Sequence, residues 1–145
     1  MKRHPRLQDL SREHYSALKL ALDAKRAAAT GDPGQIQRAA RACYRAFERE
    51  LEAHFQLEER DLLPLLRQSG EALLVQHTEA DHADLRGLAA QLVKPDGEIL
   101  RCFAERLTAH VRFEERGMFE AIERLLAAPV DQESGMPPAM FVERY

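Results

Sequence analysis

A histidine and a glutamate four residues apart, set in an apolar stripe, occur twice in this chain, and that repeat restricts the fold more than any other feature. The first copy is His54-Phe55-Gln56-Leu57-Glu58-Glu59-Arg60; the second, 56 positions on, is His110-Val111-Arg112-Phe113-Glu114-Glu115-Arg116. On an α-helix four residues turn through about 400°, leaving two side chains about 40° apart around the axis and about 6 Å apart along it. The stripe around the pair reads Phe47, Leu51, His54, Glu58, Leu62, Leu65 in one copy and Phe103, Leu107, His110, Glu114, Met118, Ala121 in the other. Both follow the spacing of one helix face, so each polar pair lies among side chains destined for a core. A weaker rhyme joins Glu13-His14-Tyr15-Ser16-Ala17-Leu18 to Asp81-His82-Ala83-Asp84-Leu85. The chain therefore reads as two related helical hairpins facing each other about a pseudo-twofold axis.

Local signals divide it into four helices. The periodic run from Leu10 to about Ala29 forms the first, with Asp9 or Ser11 as its cap. Asp32, Pro33 and Gln35 combine a cap, a residue suited to the first helical position and a polar third residue, so the second helix starts near Gly34 and runs towards Arg67. Pro64 lies within it and predicts a kink or stop near Leu62-Leu63. Ser69-Gly70 breaks the chain before a third helix from about Glu71 to Leu92, and Asp96 caps a fourth from about Gly97 to Ala127. Connections this short make the expected fold class all-α, an up-down-up-down antiparallel four-helix bundle. Residues 1–128 form this domain and residues 129–145, which include Pro129, Pro137 and Pro138, form an irregular C-terminal tail.

The chain has 145 residues, enough for one core, and its abundance of Ala, Leu, Glu and Arg suits helices. A net charge of −3 with mixed signs argues against nucleic acid as a partner, and no uninterrupted apolar run could span a bilayer. A cytoplasmic protein is the default expectation. Cys43 and Cys102 show no metal-type or redox-type spacing and read as reduced packing residues.

Four histidines, His14, His54, His82 and His110, and two glutamates, Glu58 and Glu114, then fall on inward faces. Buried carboxylates and imidazoles without partners are costly, and metal ions compensate them; imidazole with carboxylate suits iron, manganese or zinc. Each glutamate can bridge a pair of ions, with His14 and His54 on one and His82 and His110 on the other. Two six-coordinate ions offer about twelve positions, of which these side chains fill about eight and a bridging oxide or hydroxide about two. The rest are open to water, dioxygen, nitric oxide or peroxide. His77, five residues before His82, reaches the same site only through a bulge in the third helix. Glu79 is a further candidate ligand or outer acid, Thr78 supplies at most a hydroxyl, and Glu59 and Glu115 are flanking groups able to accept an imidazole N–H. Tyr15 lines the pocket or packs. A ferritin-like arrangement needs Glu-x-x-His on two helices, and only Glu79 with His82 fits it.

The segment His54-Phe55-Gln56-Leu57-Glu58-Glu59-Arg60-Asp61-Leu62-Leu63-Pro64 resembles the H-F-x-x-E-E-x-x-L-[LF]-P pattern of the hemerythrin-like (HHE cation-binding) family. His110 to Phe119 resembles its second pattern, and His14 and His82 fall where the family's first and third helices donate histidines. The resemblance spans about residues 7–127 and implies a non-haem centre of two iron ions with roles in binding, sensing or reacting with dioxygen, nitric oxide or peroxide. Thr78 stands where dioxygen carriers bear a histidine, and Glu114 lies four residues after His110 where they have an aspartate five on. Four histidines with two glutamates are closer to the bacterial repair-of-iron-centres type. The resemblance leaves three roles open: binding or sensing; a di-iron enzyme or iron-centre repair protein; and a metal store or adaptor acting through the tail.

Overall fold

The structure, a computed structural model, describes residues 3–94 and 96–127; the expected tail at 129–145 lies outside them. Among the described residues all regular structure is helical. A single 3₁₀ turn, Pro5–Leu7, leads into α1, Gln8–Thr30. The second rod is continuous over 33–68: α2 (Pro33–Ala46), a π turn (Phe47–Leu51), α3 (Glu52–Leu57), a second π turn (Glu58–Leu62) and α4 (Leu63–Gln68). The third is α5, Ala72–Gln91. The fourth covers 97–127 as α6 (Gly97–Phe113), a π turn (Glu114–Met118) and α7 (Phe119–Ala127).

Helix ends follow the local chemistry in two of three expected places. The Asp32 carboxylate accepts the Gln35 N–H at 2.9 Å, and Asp96 accepts those of Glu98 and Ile99 at 2.7 and 3.3 Å. Gly31, at φ 68°, closes α1 in the left-handed region that glycine enters without a Cβ clash. Asp9 and Ser11 are not caps: the helix begins earlier, after the 3₁₀ turn whose N-terminal His4 accepts the Arg6 N–H, and Ser11 turns its hydroxyl to Glu115. Pro64 does not stop the second rod either. The widened turn Glu58–Leu62 precedes it, so Pro64 sits in the first turn of α4, where its missing N–H is no loss.

Ion pairs give the relative running of the rods. Glu52, Glu59 and Arg67 meet Arg86, His82 and Glu79, partners that descend along α5 as the second rod ascends. Asp84, Asp81 and Glu71 likewise meet Arg106, His110 and Arg124. Arg3 and His14 meet Glu123 and Glu114. Small residues on α1, among them Ala17, Ala21 and Ala24, let it pack closely on α6.

The buried apolar residues form two clusters. One contains Ala21, Cys43, Phe47, Phe103 and Leu107; the other, Leu10, Leu62, Leu66, Phe119 and Ile122. Between them in sequence, on every rod, lies a buried polar layer.

Candidate metal centre

All twelve positions of the two repeated stripes are buried, so the sequence pattern is one of true inward faces. The burial has an electrostatic consequence. Glu58 and Glu114 have no exposed surface, and His14, His54, His82 and His110 are buried beside them, each from a different rod. The two π turns that begin at Glu58 and Glu114 are themselves 56 residues apart, so the repeat extends to the backbone. Such turns insert an extra residue per turn and re-aim side chains at functional sites.

The two oxygens of each glutamate face different histidine pairs. Glu58 Oε2 lies 2.8 Å from His54 Nε2 and Glu58 Oε1 lies 3.0 Å from His82 Nε2. Glu114 Oε1 lies 2.7 Å from His14 Nε2 and Glu114 Oε2 lies 3.0 Å from His110 Nε2. His14 and His54 bring their Nε2 atoms to 3.2 Å. Two groups with ligand atoms mutually within 4.8 Å result among the described residues: His14, His54, Glu58 and Glu114, and Glu58, His82, His110 and Glu114. Together they are the six residues singled out in the sequence.

The donor set fits metal ions by a further observation. Among the described residues, Glu58 Oε2, His110 Nε2 and Glu114 Oε2 are buried and make no hydrogen bond. Yet Glu58 Oε2 is 2.8 Å from one imidazole nitrogen, and His110 Nε2 and Glu114 Oε2 are 3.0 Å apart. Donor atoms set this close, on groups that carry opposite charge, are able to share a cation. Each group offers two imidazoles and two carboxylates, a set suited to borderline and hard transition-metal ions.

The outward nitrogen of every histidine is held by an acid. Nδ1 of His14 lies 2.6 Å from Glu115, that of His54 2.7 Å from Glu13, that of His82 2.7 Å from Glu59 and that of His110 2.9 Å from Asp81. This fixes the tautomer that turns Nε2 inward and raises its basicity. Glu59 and Glu115 thus act as the flanking acceptors expected of them. Glu13 and Asp81 were not anticipated, although each immediately precedes a candidate histidine in the rhymed pair Glu13-His14 and Asp81-His82.

Charge in the layer is finely matched. Burial opposes protonation of His110, but the Glu114 charge and the Asp81 hydrogen bond outweigh it and push its pKa up to about 10. His82 rises to about 9 against the same burial, through the Glu114 and Glu58 carboxylates that face its Nε2. His14 and His54 are also raised, again with glutamates overcoming burial. Burial pushes Glu114 upward, yet the surrounding histidines, His110 foremost, hold it well below the usual carboxylate range. Without an ion, protons on the imidazoles do the neutralising.

The remaining candidates lie outside the layer. His77 stacks on Phe113 with ring centres 3.7 Å apart and places Nε2 3.3 Å from Asp81, so it contacts an outer acid and does not join the inner donors. Glu79 pairs with Arg67 at 3.1 Å. Thr78 is fully buried and donates to Leu74 O at 2.8 Å. Tyr15 is 76% exposed and does not line the site. A groove of about 530 Å³ between α1 and the second rod, lined by Arg12, Glu13, Ser16, Arg49 and Glu50, reaches down to His54.

Comparison with protein families matches residues 6–122 to the hemerythrin HHE cation-binding domain. The chain belongs to that family. Comparisons with curated proteins and with solved structures gave no match. Among the chain's described residues, whose regular structure is all helical, buried His/Glu clusters could hold metal ions. No helix among the described residues is long and apolar enough to cross a membrane.

Proposed function

We propose that this chain is an up-down-up-down bundle holding two iron ions, with manganese or zinc as substitutes, and that it binds, senses or reacts with dioxygen, nitric oxide or peroxide. His14 and His54 would hold one ion, His82 and His110 the other, and Glu58 and Glu114 would serve both. The observation that carries this reading is the division of each glutamate's two oxygens between the two histidine pairs. When bound, such ions would supply Lewis acidity, and iron or manganese one-electron redox chemistry as well. The protein's part is to exclude bulk water with the two apolar clusters, to fix the imidazoles through Glu13, Glu59, Asp81 and Glu115, and to take up protons when the ions leave.

An exchangeable centre is favoured over a purely structural one because a groove between α1 and the second rod runs down to His54. The free thiols of Cys43 and Cys102 agree with a cytoplasmic setting. Turnover as an enzyme, including iron-centre repair, is the alternative within the same site. Steady consumption of nitric oxide or peroxide favours it, whereas stoichiometric binding alone counts against it. The test of the main reading is metal analysis with absorption spectra of aerobically purified protein, before and after Glu58→Ala combined with Glu114→Ala. Two metals per chain and their loss in the double variant are expected. Fewer than one metal in the starting protein, or a count and spectrum unchanged by the substitutions, overturns it.

A further inference from the structure

Around His82 four side chains form one unit. The His82 ring stacks on Phe55 with centres 4.0 Å apart and planes 12° apart, while its Nδ1 bonds Glu59. Arg86 lies over the Phe55 ring at 5.7 Å and forks onto Glu59 at 3.0 and 3.2 Å. The guanidinium also grips Glu52 through two bonds of 2.8 and 2.9 Å. Histidine, phenylalanine, glutamate and arginine thus lock one another.

The same unit surrounds His14. Its ring stacks on Phe119, centres 4.9 Å apart and planes 18° apart, and its Nδ1 bonds Glu115. Arg3 lies over the Phe119 ring at 5.8 Å and bonds the Glu115 carboxylate at 3.1 Å and also the Glu115 carbonyl oxygen. Arg3 is further held by Glu120 at 2.9 Å and Glu123 at 2.6 Å, and the His4 N–H donates to Glu123 at 2.6 Å.

The internal repeat does not account for this second unit. The residue 56 positions after Phe55 is Val111, and the position on α1 matching Arg86, four after the histidine, is Leu18. The His14 unit therefore lacks both parts at the matching positions and takes them from others: Phe119 from α7, and Arg3 from the segment ahead of the 3₁₀ turn Pro5–Leu7. One arginine is built into the middle of a 20-residue helix; the other rides on a short strap fastened to the last helix by ion pairs.

We infer that Arg3 is a positioning residue for the His14 half of the centre, acting through Glu115 and Phe119 as Arg86 acts on His82 through Glu59 and Phe55. The two halves are consequently fastened independently, and detaching the strap loosens one ion and not its neighbour. The inference rests on the two-ion reading above. It adds that the ions differ in lability for a reason outside the inner donors.

The test compares full-length wild type with Arg3→Gln, Arg86→Gln and Arg3→Lys, each loaded with iron(II) without oxygen and then challenged with a chelator. In Arg3→Gln one ion per chain is expected to leave about tenfold faster, the scale of outer hydrogen-bond losses at metal sites, while the second keeps its wild-type rate. Arg86→Gln should accelerate the other ion, and Arg3→Lys should restore part of the loss. Unchanged release in Arg3→Gln, or equal acceleration of both ions, overturns the inference. A second measurement needs no metal: the His14 Nδ1–H proton, followed by NMR in the ion-free protein, should exchange faster with solvent in Arg3→Gln while those of His82 and His110 do not. Wild type that holds no metal sinks the two-ion reading; the NMR comparison then still decides whether Arg3 positions His14, and equal exchange in the two proteins counts against it.

Discussion

At the scale of single residues, the centre depends on acids that never touch its inner space. Glu13 and Asp81 hold His54 and His110 at 2.7 and 2.9 Å, and both could have been found from the rhyme of Glu13-His14 with Asp81-His82. That rhyme was visible in the letters, but which histidine each acid serves was not, since the partner lies on a neighbouring rod. Glu13→Ala and Asp81→Ala should each weaken metal binding about 10- to 100-fold while leaving helicity intact; competition with a chromophoric chelator measures this. The titration of the layer gives a second prediction. His82 and His110 titrate in the folded ion-free protein near 9 and 10, above the ordinary 6.5, so their contribution to stability is complete below pH 6.5 and is lost as pH rises through 9 and 10. Glu114 is depressed, so its contribution is present above its ordinary 4.5 and lost at lower pH as it protonates. Thermal melts of the ion-free protein should therefore fall on both sides of a near-neutral maximum. Loading with metal, which needs neutral imidazoles, should remove most of the alkaline fall.

At the scale of elements, what was legible depended on how local the cause was. The caps Asp32 and Asp96 act on N–H groups two or three residues away, and both stand where the sequence indicated. Asp32→Ala should cost about 1 kcal/mol, read from urea unfolding, with no change in metal content. Asp9 and Ser11 misled because their side chains serve other ends, Ser11 bonding Glu115 on the fourth rod at 2.9 Å. Pro64 marked a disturbance correctly but not its form. The wider turn at Glu58–Leu62 takes it up, and a matching turn at Glu114–Met118 forms without any proline. These two turns share Glu-Glu-Arg and a buried glutamate at their start, and it is packing around that glutamate, not propensity, that the letters leave unstated.

At the scale of the whole molecule, both copies of the repeated stripe contribute to each of two apolar clusters, with a buried polar layer between them in sequence, and that layer carries the charge that protons or metal must balance. Four buried histidines facing two fully buried glutamates are compensated by protons or by metal. Bound ions should raise stability as any ligand of the native state does, by about 4 kcal/mol at a thousandfold excess over the dissociation constant. Stripping metal with a chelator should lower Tm, and its return should restore it. The repeat made this layer legible from sequence; the strap carrying Arg3 was not, because its partners Glu115, Glu120 and Glu123 lie more than a hundred residues away. The most direct test of the account is anomalous diffraction at the iron edge from crystals of the loaded protein. Two peaks are predicted, one among His14, His54, Glu58 and Glu114 and one among Glu58, His82, His110 and Glu114. A single peak, or peaks away from both glutamates, would contradict it.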